Sequence, residues 1–186
     1  MHVSDGRPNG MGKPVIILEM SHVEHRAAAP TQVRCYVITV SDTRTPETDT
    51  GGQLLRELLV GGGHQIAGHA IVRDDPITLR EAIQEQLEVD HVDAVLTTGG
   101  TGISRRDGTF EVVSALLDKR IDGFGELFRA LSYDEIGPSA MLSRACAGTS
   151  SGKIVITLPG SRNAVRLGIT KLVLPELGHL VREVTR

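Results

Sequence analysis

The sequence predicts an α/β protein with a mainly parallel β-sheet covered by helices on both faces, a three-layer α/β/α fold. Two observations support this class. Short runs of β-branched and apolar residues alternate with stretches whose apolar residues recur at helical spacing. Polar or glycine-rich loops follow the predicted strands, as expected when right-handed crossovers join parallel strands. The 186 residues suffice for one substantial core, so a single domain is expected.

The predicted domain covers residues 31–186 and follows a leader at residues 1–30, in which Gly, Pro, His and charged residues dominate. A translation start at Met1, Met11 or Met20 is compatible with the sequence. The leader histidines, His22 and His25, lack the cysteine or carboxylate partners of a zinc site. We therefore expect both to be solvated.

Composition excludes several classes of protein. A net charge of -3, 3% aromatic residues and no block of Lys and Arg argue against nucleic-acid binding. No apolar run reaches the roughly 18 residues of a membrane span, and no secretory signal is present. Cys35, in a predicted strand, and Cys146, in a predicted helix, are lone thiols. They indicate a reduced, cytoplasmic protein without a disulfide.

The first half of the domain contains three predicted strands. VRCYVITV at 33–40 is rich in β-branched residues and ends at Ser41-Asp42. Leucines 54, 55, 58 and 59 form the apolar stripe of a helix that stops at the glycines of 61–63. A second strand at 65–72 precedes Asp74-Asp75-Pro76, which starts a helix with Ile77, Ile83 and Leu87 on its apolar face.

The stretch TTGGTGISRRDGTFE at 97–111 is the strongest candidate for a functional loop. It follows an apolar run at 92–96 that predicts a strand buried on both faces. Thr109 is the expected N-cap of the next helix, Glu111 lies in its first turn, and its apolar face is Val112, Val113, Leu116 and Leu117. Glycines without Cβ atoms at a strand-to-helix junction favour a bound anion. A turn that only connects two elements is the alternative.

The second half is predicted to contain a helix at 122–137, with Leu127, Phe128 and Leu131 at helical spacing, and a short helix at 139–147. A strand at 153–158 leads into the loop at 159–163. The final helix is expected to kink or break at Pro175.

Four loops are expected at one rim of the sheet, because ligands of such folds bind beyond the carboxyl ends of the strands. They are Ser41-Asp42, Asp74-Asp75, 97–102 and 159–163. The glycine loop matches neither the Walker nor the Rossmann fingerprint, since no Gly-Lys-Ser/Thr follows and Arg105 stands where the third Rossmann glycine is required.

VITVSDTR, TTGGTG with RDGT, GFGELFRALS, LSRACAG and LPGS, in this order, resemble the MoaB/MogA family of molybdenum cofactor biosynthesis, and the B-type members most of all. The resemblance implies a molybdopterin-binding (MogA-like) fold. It also implies adenylylation of molybdopterin, the substrate, with ATP and Mg²⁺, giving adenylylated molybdopterin and pyrophosphate. The expected oligomer is a homotrimer, or a hexamer of paired trimers, and other proteins of the pathway are possible partners.

Catalytic and metal-binding roles fall, by the resemblance, on Asp74 and Asp107, with Asp75 ranked below them. Helix capping is the alternative role of such aspartates. Beyond these, the loops and the family resemblance together imply a set of ligand-binding residues. They are Ser41, Asp42, Thr98, Gly99, Gly100, Thr101, Gly102, Arg106, Thr109, Ser143, Pro159, Gly160, Ser161, Asn163 and Ala164.

Two departures from the family pattern affect the pterin contacts. The expected Asp-Thr-Ser-Gly appears as Asp49-Thr50-Gly51-Gly52, and Phe110 stands where relatives often have proline. The arginines have alternative roles as well. Arg105 and Arg106 could contact phosphate or be solvated loop charges. Arg144 could contact phosphate or form a structural salt bridge.

Three functions remain open at this point. The first is an Mg-dependent molybdopterin adenylyltransferase. The second is a non-catalytic protein that binds or carries molybdopterin, and the third is a scaffold that binds no pterin. Leu127, Phe128, Leu131 and Met141 are candidate contacts between subunits, although they could equally fill the core.

Overall fold

The structure is a computed structural model that describes residues 29–186. The predicted leader, apart from Ala29 and Pro30, lies outside these residues, as do the three possible start codons and both leader histidines. The strands are β1 (Arg34–Val40), β2 (Gln65–Val72), β3 (Ala94–Thr98), β4 (Lys119–Arg120), β5 (Cys146–Ser150) and β6 (Lys153–Leu158). The helices are α1 (Thr50–Gly61), α2 (Pro76–Leu87), α3 (Thr109–Leu116), α4 (Asp122–Ile136), α5 (Arg162–Gly168) and α6 (Leu174–Val184).

The strands form one sheet in the order β2-β1-β3-β6-β5-β4. The central pairs β1–β2, β1–β3 and β3–β6 are parallel, whereas β5 runs antiparallel to β6 and β4 antiparallel to β5. The mainly parallel sheet is therefore confirmed, with an antiparallel edge that the sequence pattern did not indicate.

Helices cover both faces of the sheet, as predicted. Along β1, Cys35 and Val37 enter one core cluster while Ile38 and Val40 enter the other, because successive side chains of a strand point to opposite faces. The first cluster packs against α1, α4, α5 and α6, and the second against α2 and α3. The three-layer α/β/α fold is thus confirmed.

The predicted helix at 139–147 is wrong. Gly137–Leu142 forms only a 3₁₀ turn, and Cys146 lies in β5. The reason is the hairpin between β5 and β6, whose two turn residues, Ser151 and Gly152, have φ of 50° and 73°. Such a turn matches the twist of paired strands. It draws the small residues before it into the sheet as the partner of β6.

The third strand begins and ends two residues later than predicted, at Ala94 and Thr98. Thr97 and Thr98 are therefore buried strand residues and not loop residues. Threonine is β-branched and suits a strand, and both hydroxyl groups have partners. The Thr97 and Thr157 hydroxyl oxygens lie 2.8 Å apart, and the Thr98 hydroxyl donates to the carbonyl of Pro159 at 3.1 Å.

Several smaller predictions are decided by burial. Ile77 is 68% exposed, so its assignment to the apolar face of α2 is wrong, and Leu79 is buried there beside Ile83 and Leu87. Phe128 fills the core, whereas Leu127 is 57% exposed.

The break before Pro175 is confirmed, because a π-helical turn at Ile169–Val173 separates α5 from α6. Both cysteines are buried and free, as predicted. No helix in residues 29–186 is long and apolar enough to cross a membrane.

Candidate functional site

Hydrogen bonds join the four predicted loops in two pairs at the carboxyl edge of the parallel strands. The Ser41 amide donates to the carbonyl of Val72 at 2.8 Å, and the Asp74 amide donates to Asp42 Oδ1 at 3.2 Å. The Gly99 amide donates to the carbonyl of Leu158 at 3.1 Å. The two pairs meet where Gly99 packs against the carbonyl of Val40. The loops after β1, β2, β3 and β6 thus form one continuous rim, as expected for this fold class.

Glycine is required at the centre of this rim. Gly99 and Gly100 have φ of 101° and 63°, which side-chain-bearing residues rarely adopt. A Cβ added at Gly100 would collide with Thr109 Oγ1 and lie 3.0 Å from Asp74 Oδ1, and one added at Gly102 would lie 2.5 Å from Asp107 Oδ2. The loop therefore packs directly against both predicted catalytic aspartates.

A cavity of about 370 Å³ opens beside the glycine loop. It brings together ten predicted site residues: Gly99, Gly100, Thr101, Gly102, Asp107, Ser143, Pro159, Gly160, Ser161 and Ala164. Its other lining residues are Phe128, Ser132, Ile136 and Leu142, from α4 and the following 3₁₀ turn. Sequence reasoning missed this largely apolar wall, because α4 could be assigned only to the core or to a subunit contact.

A second cavity, of about 260 Å³, lies next to the first and shares Gly99 and Gly160 with it. These glycines are in close contact, since a Cβ added at Gly160 would lie 3.2 Å from the Cα of Gly99. Ser41 and Thr98 were predicted site residues. Asp49 and Gly51 belong to the segment at 49–52 that was already linked to the pterin contacts, and Thr43 directly follows Ser41-Asp42. Sequence reasoning missed Thr39, Val40 and Arg44.

Capping, the alternative role for the aspartates, belongs to Asp75. Its Oδ2 accepts from the Thr78 amide at 2.9 Å and the Thr78 hydroxyl at 2.8 Å, and these bonds lower the pKa of Asp75. Helix α3 has Gly108 as N-cap without a side-chain bond, so the prediction of Thr109 as N-cap is wrong, and Thr109 is the first helical residue. Neither Asp74 nor Asp107 caps the helix that follows it.

The two candidate catalytic carboxylates have pKa values shifted in opposite directions. Burial raises the pKa of Asp74, and the charges of Asp107 and Asp42 raise it further. A hydrogen bond from the Gly108 amide and the charge of Arg106 oppose this rise. The hydrogen bond with the Ser104 side chain is the main cause of a lowered pKa at Asp107, whose Oδ2 also accepts from the Ser104 amide at 2.8 Å. A cation between these groups would offset the repulsion that Asp74 experiences.

The carboxylates form a pair, not a complete metal cage. Within residues 29–186 no group of three or more His, Cys, Asp or Glu side chains could hold a metal ion. Mg²⁺ is commonly held by one or two carboxylates, with water and substrate phosphates completing its shell. Asp74 and Asp107 fit that kind of site, and they do not fit an all-protein site.

Two buried hydroxyl groups at the site lack partners within the described chain. Thr109 is fully buried, its Oγ1 has no hydrogen-bond partner, and this atom abuts Gly100. Ser143 Oγ is also unpartnered, and Ser143 lines the first cavity. Because buried polar atoms are normally satisfied, the Ser143 hydroxyl, at the wall of the first cavity, is available to a bound ligand. Thr109 lines neither cavity.

Some predicted residues lie outside both cavities. Asp42 and Asp74 line neither cavity and are joined by the bond from the Asp74 amide to Asp42 Oδ1. Arg106 is exposed, and its charge acts on Asp74. Asn163 is exposed on α5, where Ser161 is the N-cap and accepts from the Ala164 amide at 3.2 Å.

Comparison with known proteins gives consistent matches. The family model described as a probable molybdopterin binding domain, MoCF_biosynth, matches residues 36–179. The chain is 55% identical over 168 residues to molybdenum cofactor biosynthesis protein B of Bacillus cereus, covering 90% of this chain and 99% of that one.

Solved structures are similar as well. A crystal structure of molybdenum cofactor biosynthesis protein B matches with a TM-score of 0.82 and 57% identity, covering 84% of this chain and 98% of that one. Tungsten cofactor synthesizing protein MoaB from Pyrococcus furiosus matches with a TM-score of 0.73 and 39% identity, covering 85% and 100%.

Proposed function

The chain belongs to the molybdenum cofactor biosynthesis protein B family, which carries a probable molybdopterin-binding domain, and on this premise we propose that it adenylylates molybdopterin. The second substrate is ATP, and the protein acts in the cytoplasm with other proteins of the cofactor pathway. This membership agrees with the motif resemblance to the MoaB/MogA family.

The proposed reaction is an in-line displacement at phosphorus. The terminal phosphate of molybdopterin attacks the α-phosphorus of ATP, a new phosphorus–oxygen bond forms, and pyrophosphate leaves. No covalent intermediate with the protein is needed. Catalysis of this kind rests on positioning and on neutralising charge, so the chain has to hold two anionic substrates close together.

The observation that carries the proposal is the contact of the glycine loop with two aspartates. Positions Gly100 and Gly102 face Asp74 and Asp107, so phosphate groups that approach the loop main chain also approach both carboxylates. Asp74 and Asp107 would hold Mg²⁺, which when bound neutralises phosphate charge. Ser143, which lines the first cavity, would donate a hydroxyl hydrogen bond to the same ligands.

The two cavities match the need for two substrates. They adjoin at Gly99 and Gly160, where main chain without Cβ atoms separates them. The first cavity combines the apolar side chains of α4 with the polar glycine loop, a combination suited to a flat heterocycle that carries a phosphate. We assign the phosphates of both substrates to the shared glycines.

Comparison of neighbouring aspartates tests the proposal. Asp74→Asn and Asp107→Ala are expected to abolish adenylylated product in an assay with molybdopterin and Mg-ATP, while each variant stays folded by circular dichroism. Asp75→Asn is the matched control, since asparagine also caps helices and Asp75 is the cap of α2. It should retain wild-type activity. Full activity in Asp74→Asn or Asp107→Ala would contradict the assignment.

A non-catalytic carrier of molybdopterin is the second candidate function. The first cavity is compatible with a carrier, because Asp107 is the one member of the carboxylate pair among its lining residues. Molybdopterin could therefore bind there without using the pair for catalysis. A carrier would bind molybdopterin in equilibrium dialysis without forming product from Mg-ATP. A scaffold, the third candidate, would bind no molybdopterin.

We also propose a homo-oligomer, a trimer or a hexamer. Of the candidate contacts, Phe128 is buried in the core and Leu131 packs against it, so these two fill the core. Leu127 and Met141 are 57% and 73% exposed, and Ile136 is 55% exposed on the same helix and turn region. Light scattering should report a mass above that of one chain, and a stable monomer would contradict the proposal.

A further inference from the structure

Arg144 has the densest set of contacts with the candidate site, and no role in ligand binding was assigned to it. Its Nε donates to the carbonyl of Thr101 at 3.0 Å, and Nη2 donates to the carbonyls of Asp107, at 2.9 Å, and Gly102. Its Nη1 pairs with the carboxylate of Glu111. The side chain is 23% exposed.

These contacts tie both ends of the segment 101–107, within the glycine loop, to one planar group. Thr101 and Gly102 lie at the start of this segment and Asp107 lies at its end. The carbonyls of all three residues accept from the same guanidinium. Arginine can do this because its donors diverge in a fixed plane, whereas a lysine ammonium is a single point of donation. The separation of the loop ends is therefore set by Arg144.

Asp107 is fixed from two sides by this arrangement. Its carbonyl is bound by Arg144, and its carboxylate accepts from the Ser104 amide within the same loop at 2.8 Å. Loss of the guanidinium would release the main chain of Asp107 while leaving its carboxylate chemically intact. The loss would thus change the position of the Asp107 carboxylate and leave its chemical identity unchanged.

The plane of the guanidinium is supported by an aromatic ring. The Cζ of Arg144 lies 5.3 Å from the centroid of Phe110, and the Cζ of Arg120 lies 5.6 Å from the same centroid. Arginine stacks on aromatic faces. Phe110, a departure from the family pattern, thus contributes to holding Arg144.

A direct role for Arg144 in binding phosphate does not fit these contacts. Four of the five N–H groups of its guanidinium already donate to the protein, so no pair of N–H groups is left for a bidentate phosphate contact. We propose that Arg144 is a positioning residue that fixes residues 101–107 and through them the carboxylate of Asp107. The inference rests on the proposed function only for its catalytic consequence, because the loop conformation can be measured without catalysis.

Amide hydrogen exchange tests the loop directly. Arg144→Lys keeps the charge but cannot span the three carbonyls, so we expect faster exchange in peptides covering 101–108 and unchanged exchange in β1 and α6. Arg120→Ala is the matched control, since it removes the other guanidinium on Phe110 and leaves the loop carbonyls bonded. Unchanged exchange at 101–108 in Arg144→Lys, or an equal change in Arg120→Ala, would overturn the proposal.

Coupling to Asp107 distinguishes positioning from general support of the fold. The affinity for Mn-ATP, measured by electron paramagnetic resonance of Mn²⁺, should fall roughly 10- to 100-fold in Arg144→Lys. In an Asp107→Asn background the same change should have little effect, because the ligand that Arg144 positions is absent. Equal losses in both backgrounds would overturn the proposal. Should Arg144→Lys fail to fold, Phe110→Leu, which keeps the carbonyl bonds but removes the ring, should accelerate loop exchange to a smaller extent.

Amide hydrogen exchange at residues 101–108 tests the role of Arg144 without any measurement of adenylylation. If the wild-type protein forms no adenylylated molybdopterin, the adenylyltransferase proposal fails, and the exchange comparison still decides whether Arg144 fixes the loop.

Discussion

Asp74 and Asp75 are adjacent in the chain but have different environments. Asp75 is bonded to Thr78 and caps α2, whereas Asp74 is partly buried against Gly100 and is repelled by Asp107 and Asp42. The hydrogen bonds of a capping aspartate stabilise its charged form, so its pKa falls. Burial and like charges destabilise the charged form of a carboxylate and raise its pKa, and a bound cation stabilises that form again. Asp74 is therefore the better candidate for a metal ligand.

Gly100 provides a test of the loop at the residue scale. Gly100→Ala places a Cβ against Thr109 Oγ1 and forces a left-handed conformation, so we expect loss of molybdopterin binding and about 1 to 3 kcal/mol of destabilisation. Gly152→Ala is the control, because Gly152 has φ of 73° but open space around its Cα. It should lose stability in urea denaturation and keep molybdopterin binding. Equal binding by both variants would contradict the proposed loop function.

His64 predicts how stability depends on pH. The Val33 amide donates to its Nδ1 at 3.2 Å, and burial lowers its pKa below 6.5. Protonation is therefore disfavoured in the folded state, and the unfolded chain binds more protons near the ordinary histidine pKa. This contribution to stability is complete above the pKa of the unfolded state, and it is lost as the pH falls from there through the lower pKa of folded His64.

Urea denaturation at pH 8 and pH 5 measures this effect. The free energy of unfolding should fall between the two values by more in the wild-type protein than in His64→Gln, which cannot titrate. Identical pH dependence in the two proteins would show that His64 is not responsible.

At the scale of elements, the start of α1 is tied to the end of β1. The buried carboxylate of Asp49 accepts from the Gly52 amide at 2.9 Å and from the Thr39 hydroxyl at 2.8 Å. Gly52 is needed here, since an added Cβ would collide with both side chains. The wall of the second cavity therefore depends on this contact between helix and strand.

Removal of this contact gives a prediction about stability. Asp49→Ala removes a helix cap and leaves the buried Thr39 hydroxyl without its partner, so we expect a loss of about 2 to 3 kcal/mol. Urea denaturation followed by circular dichroism measures it. Asp75→Ala removes a more exposed cap and should cost less. A loss in Asp49→Ala no larger than in Asp75→Ala would contradict the structural role given to Asp49.

The sequence predicted elements best where local pattern and tertiary context agree. Strands β1, β2 and β6 and helices α1 and α4 follow from β-branched runs and helical periodicity. Strand β5 did not, because Cys146-Ala147-Gly148 is neutral locally and becomes a strand only through pairing with β6. The Ser151-Gly152 dipeptide between them was the available signal of a hairpin.

At the scale of the whole molecule, the rim could be predicted because chain order fixes it. Each loop follows a parallel strand, so topology alone places the loops side by side. The apolar wall of the first cavity could not be predicted, since nothing local distinguishes Ile136 and Leu142 from other surface or core residues. The carbonyl contacts of Arg144 depend likewise on residues about 40 positions away, and only the folded chain brings them together.

In residues 29–186, the carboxyl edge of the sheet therefore combines two adjoining cavities, a main-chain rim and a pair of carboxylates. The measurement that tests this account most directly is product analysis by mass spectrometry after wild-type protein is incubated with molybdopterin and Mg-ATP. We expect adenylylated molybdopterin, one pyrophosphate for each product molecule, and no product when EDTA removes Mg²⁺. Bound molybdopterin that stays unmodified under these conditions would contradict it.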